Sequence, residues 1–167
     1  MEMESTEQQF IQLLGEHQKI IHKVCNLYMH HPLDKEDLFQ EITLQAWKGY
    51  AQFKGQSKFS TWLYRVALNT AITYFKKERK QIQQVDEAWA GEIPDHGKED
   101  NEQFNLMYKA IGELSKIDKA IVMLYLDDLP YQEISDMLGI SPNHVAVKMN
   151  RIKIKLKESA LKYSSTL

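Results

Sequence analysis

The chain has 167 residues, 43 % hydrophobic and 26 % charged, which suits one ordinary soluble domain or two small ones. The formal net charge of -2 taken alone argues against a nucleic-acid-binding chain. The longest strongly apolar stretch, residues 120–126, falls far short of the about 18 residues that cross a bilayer. Residues 1–9 are too acidic and polar for a signal peptide, so a cytoplasmic protein is expected.

The pattern predicts a first helix from about Glu7 to Met29, with Phe10, Leu13, Leu14, Ile21, Val24, Leu27 and Tyr28 at three-and-four spacing. Cys25 lies on it as the single cysteine, which excludes an intramolecular disulfide and a cysteine-rich zinc site. His22 stands one turn away, too thin a pair to argue for metal, so Cys25 reads as a small buried apolar residue. His30, His31 and Pro32 break the helix. Asp34, with Asp37 three residues on, resembles a capping box for a second helix running to about Tyr50, with Leu38, Ile42, Ala46 and Trp47 on one side.

Residues 51–57 form a loop with Gly55 at the bend. A third helix begins near Ser60 and runs towards Lys80, with Trp62, Leu63, Val66, Ala67 and Thr70 as its inner stripe. Trp47, Phe53, Phe59 and Trp62 read mainly as core. Residues 81–101 lose periodicity, gain acid and contain Pro94 and Gly97, the composition of a linker.

A second domain starts near Glu102. Phe104, Met107, Ile111 and Leu114 mark a helix, and Ser115 with Asp118 makes a second capping signal. Ile117, Ile121, Leu124 and Tyr125 continue the core, and residues 127–130 turn. Residues 131–138 read as a short helix with Ile134, Met137 and Leu138 inward and the small Ser135 where a second helix can cross. Gly139 supplies a tight turn, Ile140 plugs the core, Ser141 caps the next helix, Pro142 takes its first position and Val145 faces inward. These offsets are the helix-turn-helix pattern. With no run of strand-like alternation, the expected class is all-α: two small helical domains joined by an acidic linker, the C-terminal one containing a helix-turn-helix.

Charge is not spread evenly. Lys54, Lys58, Arg65, Lys76, Lys77, Arg79 and Lys80 face only Glu78 in their segment, and Lys148, Arg151, Lys153, Lys155, Lys157 and Lys162 face only Glu158 in theirs. Between them, residues 86–102 hold seven acids (Asp86, Glu87, Glu92, Asp95, Glu99, Asp100, Glu102) against Lys98. Two basic patches across an acidic connector suit a protein that meets phosphate at two places; two solvated helix faces would show the same charges. A recognition helix enters the major groove by its N-terminal end, which puts Asn143, His144, Val147 and Lys148 near base edges and Arg151, Lys153 and Lys155 near phosphates, with the capping Ser141 also counted among the DNA-binding residues.

Two segments carry a family resemblance. DLFQEITLQAWKGYAQFKGQSKFSTWLYRVALN, residues 37–69, and LPYQEISDMLGISPNHVAVKMNRIKIKL, residues 129–156, resemble the second and fourth conserved regions of the extracytoplasmic-function group of bacterial sigma factors. The resemblance implies a promoter-recognition subunit of RNA polymerase and not an enzyme, with core polymerase and promoter DNA as partners, an anti-sigma factor as a further one, and no cofactor, metal or membrane insertion. It implies that residues 1–80 bind polymerase and the minus-ten element, that residues 81–102 link, and that residues 103–167 bind the minus-thirty-five element. Asp37, Leu38, Gln40, Glu41 and Trp47 would dock on the polymerase. Lys54, Lys58, Arg65, Asn69, Lys76 and Lys77 would hold the opened strand. Thr73 stands where the family often has aspartate, Lys76 and Lys80 where it has arginines, and His144 where it has threonine, so the base preference stays open. A stand-alone helix-turn-helix regulator is the alternative, and it leaves residues 37–69 without a task.

Overall fold

The computed structural model describes residues 2–78 and 102–164, with side chains from 4 to 74, at 106 and 107, and from 109 to 162. The described residues are helical throughout apart from short turns, and the chain divides into two compact units, Met1–Ile93 and Pro94–Leu167. The expected linker, residues 81–101, lies outside the described part.

The first unit holds α1 (Glu2–Glu16), α2 (Gln18–Tyr28), α3 (Pro32–Tyr50) and α4 (Phe59–Glu78). Helices α2, α3 and α4 pack pairwise around one core. Ile21, Val24 and Cys25 from α2, Leu38, Ile42 and Ala46 from α3, and Leu63, Ala67, Leu68 and Ala71 from α4 are sealed from solvent. Each fully buried leucine or isoleucine there contributes about 1.5–3 kcal/mol relative to its exposed state. The alanines let the helix axes approach where the larger side chains interdigitate.

Two local features differ from the sequence pattern. The expected first helix is two helices, because the chain bends at His17, whose φ of -117° and ψ of 13° leave the helical region. The His17 ring Nδ1 donates to the Leu13 carbonyl at 2.8 Å and so satisfies an acceptor at the break. The cap of α3 is His31 rather than Asp34. Its Nδ1 accepts from the Leu33 amide at 3.2 Å, and Pro32 takes the first turn, where its missing N–H costs nothing. Asp34 lies inside that first turn, where a negative charge complements the helix dipole.

The second unit holds α5 (Glu102–Gly112), α6 (Lys116–Leu126), α7 (Tyr131–Leu138) and α8 (Pro142–Ser164). Helix α8 packs against each of the other three. Its inner stripe is Val145, Met149 and Ile152, buried at helical spacing against Ile121 and Leu124 of α6 and Ile134 and Met137 of α7 in the core of this unit. Ser115 caps α6, its Oγ accepting from the Asp118 amide at 3.2 Å. Three expected core residues are not sealed: Met107 on α5 and Ile117 and Tyr125 on α6 are each about two-fifths exposed, and the buried face of α6 turns through Ala120, Ile121 and Leu124.

Candidate nucleic-acid and polymerase interface

The turn between α7 and α8 is built from local chemistry. Gly139 ends α7 at φ 70°, in the left-handed region that favours glycine, and its amide donates to the Ser135 carbonyl at 2.9 Å. The buried Ser135 hydroxyl donates to the Ile140 carbonyl, tying the far side of the turn to α7. Ile140 is half-buried. Ser141 then caps α8, its Oγ accepting from the His144 amide at 3.1 Å. Its hydroxyl therefore already serves the helix start.

With Val145, Met149 and Ile152 turned inward, the opposite face of α8 is set. Asn143, His144, Val147, Arg151 and Lys155 are exposed on it. Lys148 stands at the border between the two faces. Its side chain is 27 % exposed, and its Nζ lies 3.5 Å from Oδ1 of Asp118 on α6. On the other flank, Lys153 Nζ sits 5.3 Å from the centre of the Tyr125 ring, a cation–π contact. Neither tether is visible in local sequence pattern.

In the first unit, loop 51–58 turns at Gly55, φ 69°. Phe53 anchors it in an aromatic cluster, its ring centre 5.1 Å from that of Trp62 and 5.9 Å from that of Phe59. Lys54 and Lys58 stand exposed beside this anchor. Arg65 and Asn69 follow on α4, one turn apart and both exposed, and Thr73 extends the row with its hydroxyl donating to the Asn69 carbonyl at 2.9 Å. Lys76 and Lys77 belong to the last turns of α4, but their side chains lie outside the described part. Trp47, expected mainly in the core, is 43 % exposed, with its ring 5.1 Å from that of Phe10.

An open cleft of about 440 Å³ runs between α3 and α4, lined by Glu41 and Gln45 on one side and Asn69, Thr73 and Tyr74 on the other. It places Glu41, expected at the polymerase, beside Asn69, expected at the opened strand. Glu41 accepts from Gln45 Nε2 at 3.0 Å. Asp37 and Gln40 are exposed on the same helix. Leu38 is not among the surface residues. It is fully buried, because it shares the inward face of α3 with Ile42 and Ala46, so it supports the outer face from behind. Sequence reasoning missed Leu44, 45 % exposed in the middle of that outer face. Its spacing of four from Gln40 and three from Trp47 was the available signal.

Residues 13–81 match the family model for sigma-70 region 2, and residues 104–156 match that for sigma-70 region 4. The ECF RNA polymerase sigma-E factor of Escherichia coli (strain K12) is 32 % identical over 148 residues, covering 79 % of this chain and 78 % of its own. The RNA polymerase sigma factor SigV of Bacillus subtilis (strain 168) is 24 % identical over 149 residues, covering 89 % of each chain. Among solved structures, the sigma factor RpoE in complex with the anti-sigma factor NepR from Bartonella quintana has the same fold, with a TM-score of 0.68, 20 % identity and coverage of 93 % and 96 %. CnrH in complex with the cytosolic domain of CnrY gives a TM-score of 0.62, 19 % identity and coverage of 91 % and 87 %.

The family matches and relatives thus define a helical, non-enzymatic DNA-binding protein of the sigma class, which binds core RNA polymerase and promoter DNA. The chain belongs to the extracytoplasmic-function group of the sigma-70 family, whose members direct promoter-specific initiation of transcription. This gives the segment 37–69 a role that a stand-alone regulator would not. No helix among the described residues is long and apolar enough to cross a membrane.

Proposed function

We propose that the two units divide promoter recognition between them. Residues 1–80 bind core polymerase and the minus-ten element, residues 81–102 connect, and residues 103–167 bind the minus-thirty-five duplex. The outer face of α3, with Asp37, Gln40, Glu41, Leu44 and Trp47, docks on a basic polymerase surface. Lys54, Lys58, Arg65, Asn69, Lys76 and Lys77 hold the opened strand, cations along its backbone and Asn69 against a base. Ser141, Asn143, His144 and Val147 at the start of α8 meet base edges, Lys148 stands at their border, and Arg151 and Lys155 meet phosphates.

The observation that carries the reading is the two-sidedness of α8. Val145, Met149 and Ile152 are buried while Asn143, His144, Val147, Arg151 and Lys155 are exposed, so one face stays free for a groove. Lysine at 76 cannot make the bidentate fork of arginine, which favours backbone contact there. The protein works in the cytoplasm, without a cofactor. An anti-sigma factor is a further partner; RpoE of Bartonella quintana is in complex with the anti-sigma factor NepR, and CnrH with the cytosolic domain of CnrY.

The test is electrophoretic mobility shift on promoter duplexes with and without core polymerase. The duplex shifts only when core is present. A shift of equal affinity by the chain alone would favour an autonomous regulator.

A further inference from the structure

Helix α6 turns a buried acidic group, Asp118, towards the recognition helix. Asp118 is 8 % exposed, and its Oδ1 has no hydrogen bond. Lys148 Nζ on α8 lies 3.5 Å from it. The Asp118 backbone is held in the first turn of α6, its amide donating to Ser115 Oγ at 3.2 Å.

Consider what Lys148 would leave behind by swinging to a phosphate. Asp118 Oδ1 would remain buried, without a hydrogen bond and without the Lys148 ammonium, and removing one partner of a buried pair is strongly unfavourable. That cost favours keeping the ammonium on Asp118 when α8 meets DNA. Arg151 and Lys155, exposed on the same face, carry the phosphate contacts instead.

We propose that Asp118 is a positioning residue for promoter recognition: by pairing with Lys148 it withholds one cation from the DNA backbone and fixes the rotation of α8 on α6, so that duplex binding depends on sequence more than on charge. The proposal rests on the assignment of α8 to the minus-thirty-five duplex and adds a specificity device to it.

The test uses full-length protein assembled with core polymerase. The probes are a promoter duplex recovered by run-off selection and the same duplex with its minus-thirty-five element scrambled, each titrated across a salt series. In Asp118→Asn the released lysine gains phosphate. Affinity for the scrambled duplex rises several-fold, its salt slope steepens by about one released ion, and the preference for the intact promoter falls several-fold. In a Lys148→Gln background, Asp118→Asn changes neither quantity, which a general loss of structure would not reproduce. Lys148→Gln alone gives an independent reading if Asp118→Asn folds poorly: the slope on scrambled duplex stays at its wild-type value. A slope lowered by about one in Lys148→Gln, or an unchanged slope and preference in Asp118→Asn, overturns the proposal while leaving the minus-thirty-five assignment in place. A wild-type holoenzyme that does not distinguish the two duplexes overturns both.

Discussion

Gly49, near the end of α3, lies against the indole of Trp62 on α4: a Cβ at position 49 would stand 3.3 Å from Trp62 Cζ2. Trp62 has little room to yield, since the rings of Phe53 and Phe59 sit 5.1 Å and 5.5 Å from its own. This contact joins α3, the helix proposed to dock on polymerase, to the loop and helix proposed to take the opened strand. Gly49→Val is predicted to lower the stability of the first unit by about 1–3 kcal/mol through overpacking. Gly49→Ala should be near neutral, because better helix propensity, up to about 1 kcal/mol, offsets the tight methyl. Urea denaturation of the two variants checks the contrast; equal stability for both would mean that Trp62 moves freely.

The turn before the recognition helix makes a different demand. At Gly139 an added Cβ would meet nothing within 4 Å, but φ is 70°. The cost of a side chain there comes from the backbone and not from crowding. Gly139→Ala is predicted to destabilise the second unit by about 1–2 kcal/mol. Thermal denaturation measures it, and a gain in stability would contradict the left-handed turn.

The cap at Ser141 can be removed and restored. Ser141→Ala loses the acceptor for the His144 amide and should cost about 0.5–2 kcal/mol, while Ser141→Asp should recover most of it. If Ser141→Asp restores stability but not promoter binding, the hydroxyl also meets DNA, or the added carboxylate repels it; Ser141→Asn, uncharged and also a capping residue, separates the two.

Burial sets the alkaline behaviour of the first unit. It pushes the Cys25 thiol up from 9.0 to about 11, with the Lys35 ammonium pulling the other way to a smaller extent. Burial also raises the Tyr28 phenol above its ordinary range. Both are acids whose folded pKa exceeds the unfolded one, so the unfolded chain loses its proton first. The stabilisation is complete below pH 9.0 for Cys25 and is lost as pH rises to about 11. Lys119 in the second unit is lowered by burial and by Lys116, and works in the opposite sense: stability there rises with pH above its lowered value. Urea denaturation across this range should show a shallower alkaline loss in Cys25→Ala than in wild type. An identical slope would mean that the thiol is not sealed in the folded state.

Much of the second unit was legible because its determinants are local. Gly139, Ser141 and Pro142 state turn, cap and first position within four residues, and the structure has each in that role. What escaped was decided by partners distant in sequence or by side chains with several options. At the break at His17 a ring nitrogen reaches the Leu13 carbonyl, a contact that apolar periodicity does not register. His31 took the cap that Asp34 seemed suited to, because Pro32 opened the helix earlier. Leu38 was grouped with the docking residues by family resemblance, whereas its spacing with Ile42 and Ala46 puts it inside. The pairing of Lys148 with Asp118 joins two helices and could not be read from either.

Run-off transcription with purified core polymerase on a genomic promoter library, with the transcripts sequenced, tests the central claim most directly. Adding the folded chain should produce transcripts from a discrete set of start sites that share upstream elements near minus ten and minus thirty-five, and Asp37→Ala combined with Glu41→Ala should reduce their yield by weakening core binding. Transcripts no different from those of core polymerase alone would contradict the assignment.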